Sequence, residues 1–298
     1  MRFAIAAASD RYLGVFESFV QAGWKPVKLF TVGAEDKFDE QRSVIACAEK
    51  NGAAVQSTRM TESDIRALRD LGCEALVVAG YLWKIPEWNA SLKYAVNFHP
   101  SPLPRGRGAY PAVRAILEKW DHWAVTCHKL AAEFDSGDIL AAEKFPLAPD
   151  ECHERLDLKI QMASRKLAAR VAGQFTALWD KATPQQGGDY WKKPELWERV
   201  IDFSKPVEDI LRHIRAYGSN VSFAKLDGKW FGITRAAGWP EAHQYKPGSV
   251  VHVYNRSIVV AAADGYVGLL DLDVAPEALA SQVQASFDAR VIYPLCPR

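Results

Sequence analysis

The chain has 298 residues, 49% of them hydrophobic and 24% charged, with 37 basic against 36 acidic side chains and a formal charge of +1. Those proportions describe a globular protein, long enough to bury the core of one large domain or two ordinary ones, and they exclude disordered and fibrous classes. A protein that holds nucleic acid by neutralising phosphates carries a basic surplus, and there is none overall.

The five cysteines, Cys47, Cys73, Cys127, Cys152 and Cys296, are odd in number, far apart and never paired as C-x-x-C. That spacing argues against a disulfide framework and against zinc knuckles, and it fits a reducing cytoplasm. Met1 to Ala8 is too short for the apolar core of a signal peptide and runs into Ser9, Asp10 and Arg11. No stretch approaches the roughly 20 apolar residues of a membrane helix. The expectation is a soluble, unprocessed, cytoplasmic protein with no membrane partner.

Taken in chain order, the first element is an apolar strand from Phe3 to Ala8, followed by a helix from Tyr12 to Val20 with apolar residues at helical spacing. The pattern returns as a strand over Val27 to Val32 with a helix from Asp39 to Asn51, then a strand over Ala54 to Gln56 with a helix from Glu62 to Leu71. Strands follow at Ala75 to Ala79 and at Tyr94 to Phe98. Short apolar runs alternating with amphipathic helices predict an α/β domain with a mostly parallel, Rossmann-like sheet, and ligands on such sheets sit outside the carboxyl ends of the strands. The first strand-helix junction, Ala8 to Arg11, has no G-x-G-x-x-G, which disfavours a nicotinamide enzyme.

Pro100 to Gly108 is rich in Pro, Gly and Arg and is expected as a shaped loop. Val125 to Leu130 and Ile139 to Phe145 are strands flanking the turn Asp135-Ser136-Gly137-Asp138, and Cys152 to Lys181 is one long helical stretch. Residues 183–199, opening with Thr183 to Gly188, have linker composition. A catalytic domain over 1–182 and a second domain over 200–298 are the expected division. The second domain begins with a helix inside Ile201 to Tyr217. Its strand-like runs Phe223 to Leu226, Trp230 to Thr234, Ser249 to Tyr254, Ser257 to Ala262 and Gly265 to Leu272 are separated by Asp-Gly and Pro-Gly turns. A small, OB-like β-barrel is the natural product.

The residues that carry chemistry stand at the end of the fifth strand. Alternation puts Asn97 and His99 on one face, where an amide donor and an imidazole can bind an oxyanion and handle a proton, as acyl transfer requires. Asp135 supplies a carboxylate able to orient the imidazole and raise its pKa. Ser101 lacks the strained G-x-S-x-G elbow of a nucleophile and reads as a structural residue or a ligand contact. Arg105 and Arg107 are either solvated loop charges or partners of an anionic group on the acceptor. His128 stands beside Cys127, but neighbours on a strand point to opposite faces and no further ligands lie at helpful spacing, so no metal is expected.

Val96-Asn97-Phe98-His99-Pro100-Ser101-Pro102-Leu103-Pro104 resembles the N-x-H-x-S-x-L-P signature of the formyltransferase family, and Phe134-Asp135-Ser136-Gly137 resembles its downstream D-x-G element at the family's spacing. Arg107-Gly108-Ala109 followed by a helix resembles the segment between them. Ile201-Asp202-Phe203, Ile210 and Ile214-Arg215-Ala216 resemble the opening of the second domain in methionyl-tRNA formyltransferases and sugar N-formyltransferases. The resemblance implies 10-formyltetrahydrofolate as formyl donor and Asn97, His99 and Asp135 as catalytic residues. It places the folate against Gly80 to Pro86, with Leu82, Trp83 and Ile85, and against the loop of Ala131, Phe134 and Gly137. Ser101, Arg105 and Arg107 remain as acceptor contacts.

Two departures bear on the acceptor. Relatives acting on tRNA carry a long basic loop after the second strand, where this chain has the short acidic segment Gly33 to Glu40, and residues 200–298 hold ten basic and ten acidic side chains. A neutral second domain is poorly suited to a nucleic acid backbone. The expected acceptor is therefore a small-molecule amine such as an amino sugar or amino acid derivative. Methionyl-tRNA is the alternative, and a hydrolase releasing formate from the same folate is a further one.

Overall fold

The structure is a computed structural model that describes residues 1–31, 41–255 and 257–292. The acidic segment Gly33 to Glu40, the end of the second strand at Val32 and Cys296 lie outside the described residues. No helix among the described residues is long and apolar enough to cross a membrane.

The chain folds into two compact units. The strands of the first are β1 (Arg2–Ala7), β2 (Lys25–Phe30), β3 (Ala54–Gln56), β4 (Ala75–Ala79), β5 (Tyr94–His99), β6 (Arg107–Gly108), β7 (His122–Lys129), β8 (Ile139–Pro146) and β9 (Tyr190–Trp191). Seven form one sheet in the order β3-β2-β1-β4-β5-β7-β8, while β6 and β9 make a separate parallel pair. β3 to β5 run parallel in the order the βαβ pattern demands, and β7 and β8 close the sheet antiparallel. This is the mixed, mostly parallel sheet expected.

The central strands read as unbroken apolar runs because both faces are covered. Phe3 through Ala7 and Ala75 through Ala79 are buried throughout. On one face Phe3, Phe16, Phe19, Trp24, Phe98 and Phe175 form a chain of edge-to-face rings with centroids 4.8 to 6.1 Å apart, a geometry that suits the positive edge and negative face of aromatic rings. Helices α1 (Leu13–Gln21) and α5 (His153–Gly173) approach closely there: Ser18 Oγ donates to the Arg165 carbonyl and Trp24 Nε1 to the Ala172 carbonyl. The other face packs Phe30, Met60, Leu76 and, from α3 (Glu62–Asp70), Ile65 and Leu68, whereas α2 (Arg42–Lys50) contacts α1. Thr61 opens α3 with a reciprocal capping box to Asp64, satisfying backbone donors that a helix start leaves unpaired.

The helix expected over Cys152 to Lys181 is broken at Gln174 (φ −128°, ψ 23°), directly after Gly173, and resumes as α6 (Phe175–Asp180). Glycine weakens a helix interior by its backbone freedom, and the break lets Phe175 enter the aromatic cluster. A short helix α4 (Pro111–Leu117) follows β6.

The second unit holds α7 (Val207–Tyr217), β10 (Ser222–Leu226), β11 (Lys229–Pro240), β12 (Val250–Tyr254), β13 (Ser257–Ala261), β14 (Gly265–Val274) and α8 (Glu277–Ile292). α7 begins only after Pro206, whose fixed φ of −58° suits a helix entry, and Asp264 Oδ1 accepts from the Val207 N–H. The strands form one antiparallel sheet in the order β10-β11-β14-β13-β12, with no pairing between β10 and β12 among the described residues. That is the partly open form of a small barrel. α8 lies beyond the last element read from the sequence.

Contacts also place the division between the units differently from composition. Residues 183–191 belong to the first unit, and the second resumes at Lys192. The backbone hydrogen bonds of this segment go to distant strands and leave no local pattern in the sequence.

Candidate active site

β5 ends at the carboxyl edge of the sheet with Asn97 and His99 on one face. The antiparallel register sets Asn97 directly opposite His128 on β7. Beyond β7 the chain turns through Asp135, which adopts a left-handed conformation (φ 55°) that aspartate tolerates better than most residues. Gly137 allows the turn to fold back, since a Cβ there would stand 1.9 Å from the Lys129 carbonyl oxygen.

These residues converge on the Asp135 carboxylate. Asn97 Nδ2 donates to Oδ1 at 3.2 Å and the Gly108 N–H donates to Oδ2 at 2.9 Å. His99 Nδ1 lies 3.4 Å and His128 Nε2 3.6 Å from Oδ1. Burial alone pushes the Asp135 carboxyl up, but the facing histidines and the Gly108 N–H outweigh it and hold the group down at about 2. Asp135 is therefore a fixed negative charge.

His99 is 5% exposed. Its Nε2 stands 2.8 Å from the Gly106 carbonyl oxygen, an acceptor, so Nε2 carries a proton and Nδ1 is the site that gains or loses one. Burial lowers the His99 pKa below the ordinary imidazole value, opposed by the Asp135 charge and the Gly106 hydrogen bond. At neutral pH the site thus combines an amide donor, a neutral imidazole with a free Nδ1 and a carboxylate that stabilises the imidazolium when it forms. That set suits attack of an amine on an acyl carbon: donors for an oxyanion and a route for the amine proton.

His128 was discounted from the sequence and belongs to this cluster. It is 1% exposed; its Nδ1 stands 2.7 Å from the Lys129 carbonyl oxygen and so donates, leaving Nε2 to accept from Asn97 Nδ2 at 3.2 Å. The objection to pairing it with Cys127 holds, but its partner is across the sheet. The available signal was a histidine in an apolar strand, and only the register of β5 with β7 gives it meaning. His128→Met is expected to lower turnover roughly tenfold, because it leaves a buried amide N–H without its acceptor. Steady-state kinetics alongside a thermal melt checks this; full turnover would exclude His128 from the site.

Ser101 is 0% exposed, and its Oγ donates to the Arg105 carbonyl while its own carbonyl accepts from Thr126. It shapes the loop and has no exposed surface, which favours the structural of its two readings over the ligand contact. Arg105 lies 3.5 Å from Asp189, and Arg107 Nη2 donates to the Gly187 carbonyl, so both are tied to the segment after α6. Of the expected donor-site residues, Leu82 and Phe134 are open to solvent at 64% and 56%. Ala131 is also exposed. Trp83 packs edge-on against Tyr81, while Ile85 is partly buried against the core and Gly137 is buried.

Residues 30–172 match the family described as Formyl transferase, and residues 196–282 match the Formyl transferase C-terminal domain. The chain is similar to a methionyl-tRNA formyltransferase of Paracidovorax citrulli, 32% identical over 252 residues that cover 76% of this chain and 75% of that protein. This chain belongs to the formyltransferase family. A second methionyl-tRNA formyltransferase, from Alcanivorax borkumensis, is 28% identical over 287 residues, 92% of this chain and 87% of the relative. Among solved structures, the formyltransferase fold recurs in HypX from Aquifex aeolicus in complex with tetrahydrofolic acid, with a TM-score of 0.66 and 20% identity over 93% of this chain. The chain spans 45% of HypX. The N-formyltransferase of Helicobacter canadensis, in complex with folinic acid and dTDP-3-aminofucose, gives 0.67 at 16% identity, covering 91% of this chain and 99% of that one. Formyltransferases of this family take the formyl group from 10-formyltetrahydrofolate.

Proposed function

We propose that this formyltransferase moves the formyl group of 10-formyltetrahydrofolate to the amine of a small molecule, an amino sugar or amino acid derivative, through Asn97, His99 and Asp135. The convergence of Asn97 and His99 on the Asp135 carboxylate carries the reading. The folate supplies a formyl carbon bonded to a nitrogen that leaves. The acceptor amine forms the new C–N bond, and Asn97 redirects one of the two N–H groups that it otherwise gives to Asp135 and His128 toward the oxygen on which charge develops. His99 takes the amine proton at Nδ1, Asp135 stabilises the imidazolium, and the proton passes to the departing folate nitrogen. Exposed Leu82, in the loop after β4, and exposed Phe134 and Ala131, in the turn after β7, offer apolar surface for the planar ring of the donor.

Electrostatics supports the small acceptor. Residues 200–298 hold ten basic and ten acidic side chains, and Arg212 is already paired with Glu208 and Asp209. The register sets Lys225 opposite Trp230 and Lys229 opposite Leu226, so the two lysines lie on opposite faces of the sheet and do not form one patch. The domain thus has no basic surplus, and Lys225 and Lys229 offer no shared face, to neutralise a phosphate backbone.

The test supplies 10-formyltetrahydrofolate with a panel of nucleotide-linked amino sugars, amino acid derivatives and charged initiator tRNA, following loss of the formyl donor. Turnover with a small amine, and tRNA binding that collapses between low and physiological salt, is the expected result. Formylation of the charged methionine, with micromolar or tighter binding at about 150 mM salt, would restore the tRNA reading. Formate release without acceptor would make the protein a hydrolase.

A further inference from the structure

Residues 183–191 read as a linker, yet they strap the two catalytic loops together. The strap starts at Thr183, which exchanges both backbone hydrogen bonds with Ile139 at the start of β8. Two residues on, the Gln185 side chain reaches the catalytic turn: Nε2 donates to the Asp135 carbonyl at 2.9 Å and to the Gly137 carbonyl at 2.7 Å. Both partners are acceptors, so only the amide nitrogen can face them. The strap then crosses to the other loop. The Arg107 N–H donates to the Asp189 carbonyl, and β9 pairs with β6. At Gly188 (φ 98°) a Cβ would stand 2.0 Å from the Pro104 carbonyl oxygen, so the backbones touch. Trp191 stacks on Trp123 at 6.2 Å.

This arrangement bears on the chemistry. The loop that the strap pairs with supplies the Gly106 carbonyl that fixes His99 and the Gly108 N–H that holds Asp135. On the opposite side, Asp135 has a left-handed backbone at an otherwise exposed turn, with Ala131 to Phe134 open to solvent. Two hydrogen bonds from one side chain, to the carbonyls at and just beyond Asp135, set the direction in which the carboxylate leaves the turn. The pose is fixed by the amide nitrogen alone, since Oε1 has no protein partner among the described residues.

We propose that Gln185 is a positioning residue of the catalytic centre: its amide holds the turn that presents the Asp135 carboxylate to His99. The inference rests on the assignment of Asn97, His99 and Asp135 made above. Gln185 touches no reacting atom and acts through Asp135 alone.

The experiment uses the full chain with Gln185→Ala and Gln185→Glu, beside His99→Ala and Asp135→Asn as site controls. Two readouts are taken: kcat and KM with 10-formyltetrahydrofolate and the most active acceptor of the panel, and the titration of the His99 ring by NMR with neither substrate present. The ring is faced by Asp135 and His128. Gln185→Ala is expected to lower kcat roughly tenfold with little change in acceptor KM, the cost of two lost hydrogen bonds. It also moves the His99 titration to lower pH, because a displaced carboxylate no longer favours the imidazolium. Gln185→Glu preserves the volume but sets a carboxylate against two carbonyls. It falls below the alanine variant at neutral pH and regains ground as the pH is lowered and its carboxyl gains a proton to donate. A folded Gln185→Ala protein with wild-type kcat and an unmoved His99 titration overturns the proposal while leaving the site intact. Full activity in the His99 and Asp135 controls overturns the site assignment instead.

Discussion

His99→Ala and Asp135→Asn each lower turnover by roughly two to three orders of magnitude, the usual loss when an acid-base group or oxyanion donor is removed. The two variants fail for different reasons. Alanine at 99 removes the Nδ1 proposed to take the amine proton and the ring that stands between the carboxylate and the Gly106 carbonyl. Asparagine at 135 keeps the shape but not the charge, and neither amide orientation fits. The Gly108 N–H requires an oxygen at one position, which turns the NH2 toward Asn97 Nδ2 at the other. The pH dependence separates them further. The His99 pKa lies below the ordinary imidazole value, so kcat, which needs the neutral ring, is flat at neutral pH and falls as the pH drops through that lowered value. Asp135, at about 2, stays ionised throughout such an assay and contributes no limb to it. In Asp135→Asn the acid limb moves to still lower pH, because the charge that raised the His99 pKa is gone. Donor-consumption kinetics between pH 5 and 8 checks both statements, and near-normal turnover in either variant would remove that residue from the mechanism.

Gly137→Ala is expected to be nearly as damaging without touching a reactive atom. The added Cβ would lie 1.9 Å from the Lys129 carbonyl oxygen and 2.8 Å from its carbonyl carbon, both backbone atoms of β7. Neither yields as a side chain would, so the turn must open and carry Asp135 away from Asn97, His99 and the Gly108 N–H. A misplacement of about 1 Å at a catalytic group costs on the order of a hundredfold in rate. The damage is confined to the turn and the end of β7, because the aromatic cluster on the sheet lies elsewhere. Kinetics combined with a far-UV spectrum and a thermal melt reads this directly: kcat falls on the order of a hundredfold while the spectrum is unchanged. Wild-type turnover would mean that the turn has room the backbone does not show.

Much of the first unit was legible in the sequence because its signals are local. A strand covered on both faces needs an unbroken apolar run, as in Phe3 to Ala7, and an amphipathic helix needs apolar residues at a spacing of three to four. Both patterns are written within about ten residues. Asn97 and His99 were legible for the same reason, since alternation along one strand places them on one face. The tertiary structure decided what depends on partners far away in the chain. His128 faces the centre because antiparallel pairing sets it against Asn97, and the same residue beside Cys127 says nothing in isolation. Ser101 is turned inward by Arg105 and Thr126. Residues 183–191 look like a linker because their polar, glycine-rich composition has no period. Their hydrogen bonds go to Asp135, Gly137, Arg107 and Ile139, between 44 and 82 residues earlier. Periodicity records which way a side chain points within its own element. It carries no record of which element stands opposite, and the cluster around Asp135 is assembled across elements.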